Sequence, residues 1–366
     1  MISKAFVVGE YQRKAEALAR CGVELTVIIP DGWNERNGAL PLERAYTEGY
    51  RLLVVPMRFN GNYHLHFYPT LAARIRELRP QIIHIDEEPY NLATWQTLRL
   101  ARQHKVRTVL STWQNLYRRY PPPFAWGERY ALRNTDHLIA GTQSAADVWR
   151  TKRYAGPLTI IPQFGVDTDR FKPDETRIPK ATLQIGYIGR LVPEKGVDLL
   201  LNALSGLQDQ RWHLQIVGQG PERAALERLA AALGITGRVT FRGQLPSMDL
   251  PAVFQQLDLL VIPSRTRPNW KEQFGRVIIE ANGCGVPVLG SDSGAIPDSI
   301  GAGGRIFRED DLHNLREQLS ALLDDEPARR ALGAAGRAQV LAYYTQEQIA
   351  TATVAVYAAV LDSRSS

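Results

Sequence analysis

The sequence predicts an α/β protein made of two Rossmann-like, doubly wound domains that face each other across a cleft. Short apolar runs alternate with helix-length segments along the chain, and this pattern restarts after a polar stretch at residues 165–180. Apolar runs without polar alternation are typical of parallel strands covered by helices on both faces. A length of 366 residues fits two such domains.

Seven apolar runs predict the strands of an N-terminal domain, residues 1–170. They lie at residues 5–9, 24–30, 51–56, 81–86, 107–112, 137–141 and 158–162. Five further runs predict the strands of a C-terminal domain, residues 171–345. They lie at residues 183–189, 212–218, 239–243, 259–263 and 286–292, with helices predicted at 221–233 and 311–324.

The last segment, residues 346–366, predicts a helix that crosses the domain junction. Its apolar residues are Ile349, Val354, Tyr357 and Val360, so it needs a partner surface. We expect it to pack back on the N-terminal domain.

The composition favours a cytoplasmic protein. Cys21 and Cys284 match no metal-ligand spacing, which argues against a disulfide scaffold. The five-residue apolar run near the N-terminus is too short for a signal peptide, and no run reaches the ~18 residues of a membrane span.

Basic residues are concentrated in the first half of the chain. Residues 1–178 contain 25 Lys and Arg against 18 Asp and Glu, whereas residues 179–366 contain 19 against 20. Between Arg99 and Arg133, eight basic residues accompany one acid and six interleaved aromatic residues. This pattern favours peripheral contact with an anionic membrane on its inner face, or a phosphorylated acceptor. A solvated surface over buried aromatic residues would give the same pattern.

Two glutamates, Glu272 and Glu280, stand in an otherwise apolar stretch. Glu280 lies within a predicted helix that ends at Gly283 or Gly285, and Glu272 lies in the loop before it. One carboxylate can then reach beyond the helix start while the other lines its flank, which suits a long ligand.

A second candidate site follows the first strand of the C-terminal domain. Arg190 and Lys195 flank a turn that precedes a helix, and cations beside a helix N-terminus favour a bound anion such as a diphosphate. A turn closed by an ion pair with Glu194 is an equally good interpretation of this segment alone. Gly218, after the next strand, is part of a weaker glycine pattern, and we predict that it also contacts the ligand of this site.

Four segments, "GRLVPEKG", "VGQGPE", "EQFGRVIIEANGCGVPVLGS" and "GVDTDRF", resemble the retaining GT-B glycosyltransferases of family 4, in the order that family shows. The resemblance implies a hexosyltransferase of glycan biosynthesis that uses a nucleotide sugar, UDP-linked before GDP-linked. It implies that the C-terminal domain binds this nucleotide sugar and that the N-terminal domain binds the acceptor. It implies that Arg190 and Lys195 bind the donor diphosphate, Glu280 the ribose and Glu272 the transferred sugar. The helix start adds four donor-binding residues, Phe274, Gly275, Arg276 and Val277.

The N-terminal domain departs from the family pattern. Only Gly9 follows the first predicted strand, where the family has a glycine-rich loop, and Asp86 stands where the family often has a histidine. We predict that Asp86 is catalytic, together with Arg190, Lys195 and Glu272. The alternative is that one of the acids at 86–88 caps the following helix or pairs with an arginine. The predicted acceptor-binding residues are His64, Glu87, Trp95, Trp113 and Tyr117.

Two other classes of protein remain open at this point, a GT-B-like nucleotide-sugar epimerase and a basic nucleic-acid-binding module. The second would leave the glutamate pair and the two cations without a role, so we expect no nucleic-acid partner. Asp167 and Asp169 match the Asp-x-Asp of metal-dependent glycosyltransferases. They lie in the predicted linker, and Arg190 and Lys195 can neutralise a diphosphate, so we expect no metal and no cofactor.

Overall fold

The computed structural model describes residues 1–35, 38–178, 181–207 and 211–363. The chain forms two compact α/β units, Met1–Gly165 together with Gln346–Ser366, and Val166–Thr345. The second unit begins at Val166, which bridges to Thr345 within that unit, so the boundary lies five residues before the predicted one.

The first unit is built mainly on parallel strands, which occupy the apolar runs of the sequence. They are β1 (Thr26–Ile29) paired with β4 (Arg51–Val54), and the series β5 (Ile82–Ile85), β6 (Arg107–Thr112), β7 (His137–Ala140) and β8 (Leu158–Ile160). An antiparallel hairpin, β2 (Gly32–Glu35) with β3 (Gly38–Pro41), was not predicted.

The strand predicted at residues 5–9 is wrong. Residues Ala5–Val7 and Gly9–Gln12 form short 3-10 helices, and Ile2 instead bridges both β1, at Ile28, and β5, at Ile85. Phe6 and Val7 are buried in the core, which explains the apolar run. A five-residue apolar run can be buried as helix or as strand, so its hydrophobicity alone could not decide.

The helices between Arg13 and Thr151 pack with these strands. They are α1 (Arg13–Arg20), α2 (Leu71–Leu78), α3 (Leu92–His104), α4 (Phe124–Asn134) and α5 (Gln143–Thr151). α5 begins where the Thr142 side chain accepts a hydrogen bond from the Ala145 amide, which satisfies one of the free amides of the first turn.

The second unit is a six-stranded parallel sheet in the order β11-β10-β9-β12-β13-β14. Its strands are β9 (Leu183–Ile188), β10 (Trp212–Val217), β11 (Val239–Gly243), β12 (Leu259–Ile262), β13 (Val288–Ser291) and β14 (Gly304–Phe307), the last not predicted. Its helices are α6 (Val197–Ser205), α7 (Arg223–Ala232), α8 (Leu250–Phe254), α9 (Arg276–Gly283), α10 (Ile296–Ile300), α11 (Leu312–Asp324) and α12 (Glu326–Tyr343). This order reverses direction at β9 and β12, the place where open α/β sheets bind ligands.

The C-terminal helix α13 (Gln346–Asp362) belongs to the first unit. Its residues Ile349, Val356, Tyr357 and Val360 are buried in the same core cluster as Leu18 of α1. The helix therefore finds the partner surface that its sequence requires.

Candidate functional site

The first motif of the second unit forms a tight turn between β9 and α6. Pro193–Lys195 form a short 3-10 helix, and Gly196 follows with a φ of +67°. A Cβ at Gly196 would lie 2.0 Å from the carbonyl oxygen of Pro263, so the backbone passes too close for any other residue. The turn thereby places Lys195 just before the first residue of α6.

Gly218 and Gly220, after β10, pack against this turn. A Cβ at Gly218 would lie 1.8 Å from the Gly189 carbonyl oxygen, and one at Gly220 would lie 2.1 Å from that of Leu191. Because Gly218 has no side chain, its backbone can lie in contact with the backbone of Gly189 in the turn. Its contact with a donor stays a prediction.

Lys195 and Glu272, 77 positions apart in sequence, form an ion pair. The Lys195 Nζ lies 2.5 Å from Glu272 Oε2, and the two side chains are 18% and 13% exposed. The same Nζ lies 4.9 Å from the ring centroid of Trp270, so the lysine is held by an aromatic face as well. The structure thus brings the predicted diphosphate-binding cation and the predicted sugar-binding acid into direct contact.

Arg190 has a fixed backbone and an exposed charge. Its carbonyl accepts a hydrogen bond of 2.7 Å from the Tyr187 hydroxyl, while its side chain is 68% exposed and lies 4.0 Å from Glu194. Burial, and then the charge of Glu272, raises the pKa of Tyr187, so this hydroxyl stays protonated and donates. The ion pair with Glu194 is long and exposed, so it holds the arginine only weakly.

The loop and helix around the two glutamates are as predicted. Glu272 precedes α9, Gly275 caps it with a φ of +75°, and α9 ends at Gly283. Glu280 is buried within α9, and its Oε1 lies 3.1 Å from Nε of Arg276, one turn earlier.

The start of α9 also carries the other predicted donor-binding residues. Phe274 is buried, and Gly275, Arg276 and Val277 form the first turn, whose amides have no acceptor within the helix. Ligand contact by these residues stays a prediction.

In the first unit, Asp86 directly follows β5 and is 8% exposed. Its Oδ2 accepts a hydrogen bond of 2.7 Å from the Ser3 hydroxyl. Its Oδ1 is buried and has no hydrogen-bond partner within the part of the chain that the structure describes. The N-cap of α3 is Asn91, so the alternative that Asp86 caps this helix is wrong.

Glu87 lies in a buried network of opposite charge. Its carboxylate pairs with Lys4, accepts a hydrogen bond from Asn91 Nδ2 at 3.2 Å and lies 3.3 Å from His66 Nε2. Burial acts to raise the pKa of Glu87, but the charges of Lys4 and His66 outweigh it and lower the pKa to about 2. This predicted acceptor-binding residue already has three internal partners.

Glu88 was not among the predicted site residues, although it follows the same strand. Its Oε2 accepts from the Thr112 hydroxyl at 2.7 Å and its Oε1 from the Trp113 amide at 2.8 Å. Burial raises its pKa to about 7, because these two neutral donors only partly offset it. A carboxyl group that titrates near neutral pH is suited to exchange a proton. Its position beside Asp86 and Glu87 was the signal in the sequence.

Three of the predicted acceptor-binding aromatic residues lie near one another. The His64 ring lies 5.2 Å from that of Phe124, which lies 6.0 Å from that of Trp95. Tyr117 is half exposed and shares Lys152 with Tyr120, whose ring also lies near His64. Burial, and then the charge of Arg118, lowers the pKa of His64.

Trp113 lies apart from this group, against Gly141. A Cβ at Gly141 would lie 2.4 Å from the Trp113 ring, and the ammonium of Lys14 lies 5.7 Å from the ring centroid. The Trp113 ring therefore has contacts different from those of the other predicted acceptor-binding aromatic residues.

Asp167 and Asp169 form a local turn at the start of the second unit. The Asp167 Oδ1 accepts from the amides of Asp169, at 3.1 Å, and Arg170, at 3.3 Å. No group of three or more metal-ligating side chains occurs among the described residues.

Sequence comparison assigns both units to glycosyltransferase families. Residues 168–339 match the sequence model "Glycosyl transferases group 1", and residues 12–170 match "Glycosyltransferase Family 4". Together the two matches span nearly the whole chain. The chain belongs to the family 4 glycosyltransferases.

Two curated relatives of the chain come from mycobacteria. A GDP-mannose-dependent alpha-(1-6)-phosphatidylinositol monomannoside mannosyltransferase of Mycolicibacterium smegmatis is 36% identical over 47% of this chain and 49% of the relative. A D-inositol 3-phosphate glycosyltransferase of Mycobacterium leprae is 33% identical over 49% of this chain and 44% of the relative. The chain thus spans about half the length of the curated relatives it matches.

Solved structures share the GT-B fold of this glycosyltransferase. Sucrose-phosphate synthase of Thermosynechococcus elongatus matches with a TM-score of 0.72 and 22% identity, over 96% of this chain and 92% of that one. Anabaena HepE in complex with UDP and glucose matches with a TM-score of 0.69 and 16% identity, over 98% of each chain.

No described helix is both long and apolar enough to cross a membrane.

Proposed function

We propose that the chain moves a sugar from a nucleoside-diphosphate sugar to an acceptor hydroxyl, with retention of the anomeric configuration. The observation that carries the proposal is the Lys195–Glu272 ion pair, which joins a cation after β9 to an acid before α9. A cation here suits a diphosphate, and a carboxylate beside it suits sugar hydroxyls. Family membership supports the same reaction class.

In this proposal, the second unit binds the donor. Arg190 and Lys195 bind the diphosphate, Glu272 the transferred sugar and Glu280 the ribose. As the bond from the anomeric carbon to the diphosphate breaks, negative charge accumulates on the leaving oxygen. Cations held in place before the reaction stabilise that charge most in the transition state.

On the first unit, Asp86 is the proposed catalytic carboxylate. Its buried Oδ1 has no internal donor among the described residues, so that oxygen keeps its capacity to accept a hydrogen bond. A carboxylate can stabilise a developing oxocarbenium ion or take the proton of the acceptor hydroxyl.

We expected uridine as the donor base before guanosine, and this order stays a prediction. The name of the M. smegmatis relative specifies GDP-mannose, which is reason to test both bases side by side. Independence from metal is also proposed, because two cations serve the diphosphate. If EDTA abolishes turnover and Mn²⁺ restores it, this part is wrong and Asp167 and Asp169 become the candidate ligands.

The proposed acceptor is a hydroxyl of a lipid-linked, saccharide or small-molecule compound. The names of the two mycobacterial relatives specify phosphatidylinositol monomannoside and inositol 3-phosphate, which supports testing inositol-containing acceptors first. We further propose a cytoplasmic enzyme whose basic first half contacts anionic membranes peripherally. That contact should weaken as salt screens the charges.

Incubation with UDP-glucose or GDP-mannose, with and without an inositol-containing acceptor, tests the proposal. A transferase releases free nucleotide and forms a heavier product only when acceptor is present, and NMR of the product reports the anomeric configuration. An epimerase would instead convert the sugar nucleotide to an isomer of equal mass without acceptor. Absence of any reaction with an extended donor and acceptor panel would contradict both enzymatic functions.

A further inference from the structure

A cavity of about 440 Å³ opens at the amino ends of β6 and β7 in the first unit. β6 spans six residues, so this cavity lies ~17 Å from the strand's carboxyl end, which Glu88 contacts through Thr112. The lining residues come from the end of α3, the start of β6 and the end of α4: Ala101, Arg102, Lys105, Val106, Arg107, Thr108, Arg133, Asn134, Thr135 and Asp136.

The basic segment of the sequence therefore does not form a single patch. Arg118 and Arg119 follow the carboxyl end of β6, and the charge of Arg118 acts on His64. The cavity at the opposite end of β6 collects four other basic residues of that segment, Arg102, Lys105, Arg107 and Arg133.

The cavity carries a net positive charge. Among its described lining residues, Asp136 is the only acid, and its carboxylate is already in use. Arg107 donates to Oδ1 at 2.6 Å, and the Thr108 amide and hydroxyl donate to Oδ2 at 2.8 and 2.9 Å. The described lining therefore contains four basic side chains, Arg102, Lys105, Arg107 and Arg133, and one acidic side chain.

Hydrogen bonds fix part of this lining before any ligand arrives. The Arg102 guanidinium donates to Asn134 Oδ1 at 2.6 Å, and Asn134 Nδ2 donates to the Tyr130 carbonyl at 2.6 Å. Two further lining atoms, the Thr135 hydroxyl oxygen and Arg107 Nε, are buried without a hydrogen-bond partner among the described residues. Both groups can donate to an oxyanion.

Lys105 occupies a backbone conformation that favours glycine. It follows the last residue of α3 with a φ of +56°, and Arg79 follows α2 in the same way with a φ of +46°. Arg79 and Lys105 both line a second cavity of about 590 Å³ that adjoins the first at Lys105 and Val106. A lysine in the left-handed region is strained, and such strain is a reason to look for a function.

We propose that the cavity at Arg102, Lys105 and Arg133 binds a phosphate group. Guanidinium and ammonium groups with a nearby hydroxyl match the oxygens of a phosphate, and guanidinium groups can bind it through two parallel hydrogen bonds. The site is separate from the donor residues of the second unit and does not depend on the proposed transferase activity. The phosphate can belong to a soluble metabolite or to a lipid headgroup.

The alternative is a structural role, since cations near a helix C-terminus interact favourably with its carbonyl groups. That role predicts a loss of stability on removing the cations, with no change in ligand binding. Lys105→Gly separates the two roles. Glycine fits the observed backbone, so this substitution should preserve or raise the melting temperature while it removes one phosphate contact.

The first experiment is calorimetric titration of the full chain with inorganic phosphate. It is done in an Arg190→Ala/Lys195→Ala background so that the donor site does not contribute. Arg102→Ala/Lys105→Gly/Arg133→Ala should weaken phosphate binding at least ~10-fold, since each charge-assisted hydrogen bond is worth about that much. The matched control Arg118→Ala/Arg119→Ala should bind phosphate as the background does. Arg133→Glu alone, at an exposed position, tests the site if the triple variant does not fold.

Vesicle flotation then identifies the source of the phosphate. Binding to phosphatidylglycerol vesicles but not to phosphatidylcholine vesicles, lost in the triple variant and kept in the control, indicates a lipid headgroup. If the cavity binds inorganic phosphate but the triple variant floats with the vesicles as well as its background does, the ligand is soluble. The proposal is overturned if the background protein binds neither probe, or if the triple variant and its control lose binding equally.

Discussion

The candidate carboxylates of the two units have partners of different charge. In the second unit, each of the two acids faces a cation, Lys195 for Glu272 and Arg276 for Glu280. In the first unit, Asp86 accepts one hydrogen bond within the described part of the chain, from the neutral hydroxyl of Ser3. The charges of Glu272 and Glu280 are therefore offset by cations, whereas the hydrogen-bond donor of Asp86 carries no charge.

Two consecutive residues of the first unit also differ in whether the partners of their carboxylates are charged or neutral. Glu87 and Glu88 are adjacent, and burial acts to raise the pKa of both. The charges of Lys4 and His66 lower the pKa of Glu87 to about 2, whereas neutral donors leave that of Glu88 at about 7. The charge of the partner, more than the number of hydrogen bonds, decides whether a buried carboxyl stays ionised.

The largest expected effect is on turnover, at Lys195. Lys195→Ala should lower turnover ~100- to 1,000-fold and raise the apparent donor binding constant much less, because the cation acts on charge that develops during departure. Arg190→Ala should change both constants in the same direction. Steady-state kinetics of both variants, beside Lys271→Ala as a control for a nearby lysine, checks this. An effect on donor binding alone would show that the cations act only in the ground state.

Glu87→Gln should give the largest loss of stability. Removing this charge leaves Lys4 largely buried without its counter-ion, which is expected to lower the free energy of unfolding by ~3 kcal/mol at pH 7. Glu10→Gln, which breaks a more exposed pair with Arg13, is the control and should change stability by less than ~1 kcal/mol. Urea denaturation measures the free energy of unfolding of both variants. Equal losses would show that the buried Glu87–Lys4 pair stabilises the fold no more than the exposed Glu10–Arg13 pair.

Asp86→Asn should lower turnover at least ~100-fold and leave nucleotide affinity nearly unchanged. Asp86→His tests whether the residue common in the family can substitute. Turnover and melting temperature are measured on the same variants. Full activity with a lowered melting temperature would restrict Asp86 to its structural bond with Ser3 and move the catalytic assignment to Glu88.

The two acids of the second unit should separate in calorimetric titrations with UDP and GDP. Glu280→Ala should weaken nucleotide binding ~10-fold, because the proposed ribose contact is common to free nucleotide and donor. Glu272→Ala should leave nucleotide affinity nearly unchanged and impair sugar transfer. Equal losses of nucleotide affinity would contradict this assignment.

A pH dependence of the stability is expected from Glu88. Its pKa is raised from 4.5 to about 7, so between these values the folded state binds more protons than the unfolded state. Stability from this group is therefore present at low pH and is lost as the pH rises from about 4.5 to 7. Glu88→Gln should remove this decline, measured as the difference in melting temperature between wild type and variant across that range. If the difference in melting temperature between wild type and variant does not change with pH over this range, Glu88 keeps an ordinary pKa.

The sequence was sufficient for most of the fold and for the second unit's acid pair. Buried parallel strands leave unbroken apolar runs, and Gly275 and Gly283 mark the ends of α9, so the positions of Glu272 and Glu280 followed. Cations near strand ends also identified Lys195. Its direct contact with Glu272, across 77 positions, depends on how β9 and α9 pack and has no local signal.

The first unit was harder to predict because its key contacts involve the first few residues. Ile2 bridges two strands with only a single residue at each, which is too short to leave a periodic pattern. The bonds of Ser3 to Asp86 and of Lys4 to Glu87 join residues 83 positions apart. The same long-range packing gives two neighbouring glutamates opposite pKa shifts, although the residue type is the same.

The return of α13 to the first unit has a consequence for synthesis on the ribosome. The second unit is one continuous segment, Val166–Thr345, whereas the first needs Ile349, Tyr357 and their neighbours to complete its core. At ~5–20 residues per second, those residues are made ~10–40 s after Gly165. Tyr357 bonds the buried His84 ring at 2.6 Å, so until α13 arrives this strand residue lacks that partner. The half of the chain that is translated first is therefore the half that finishes folding last.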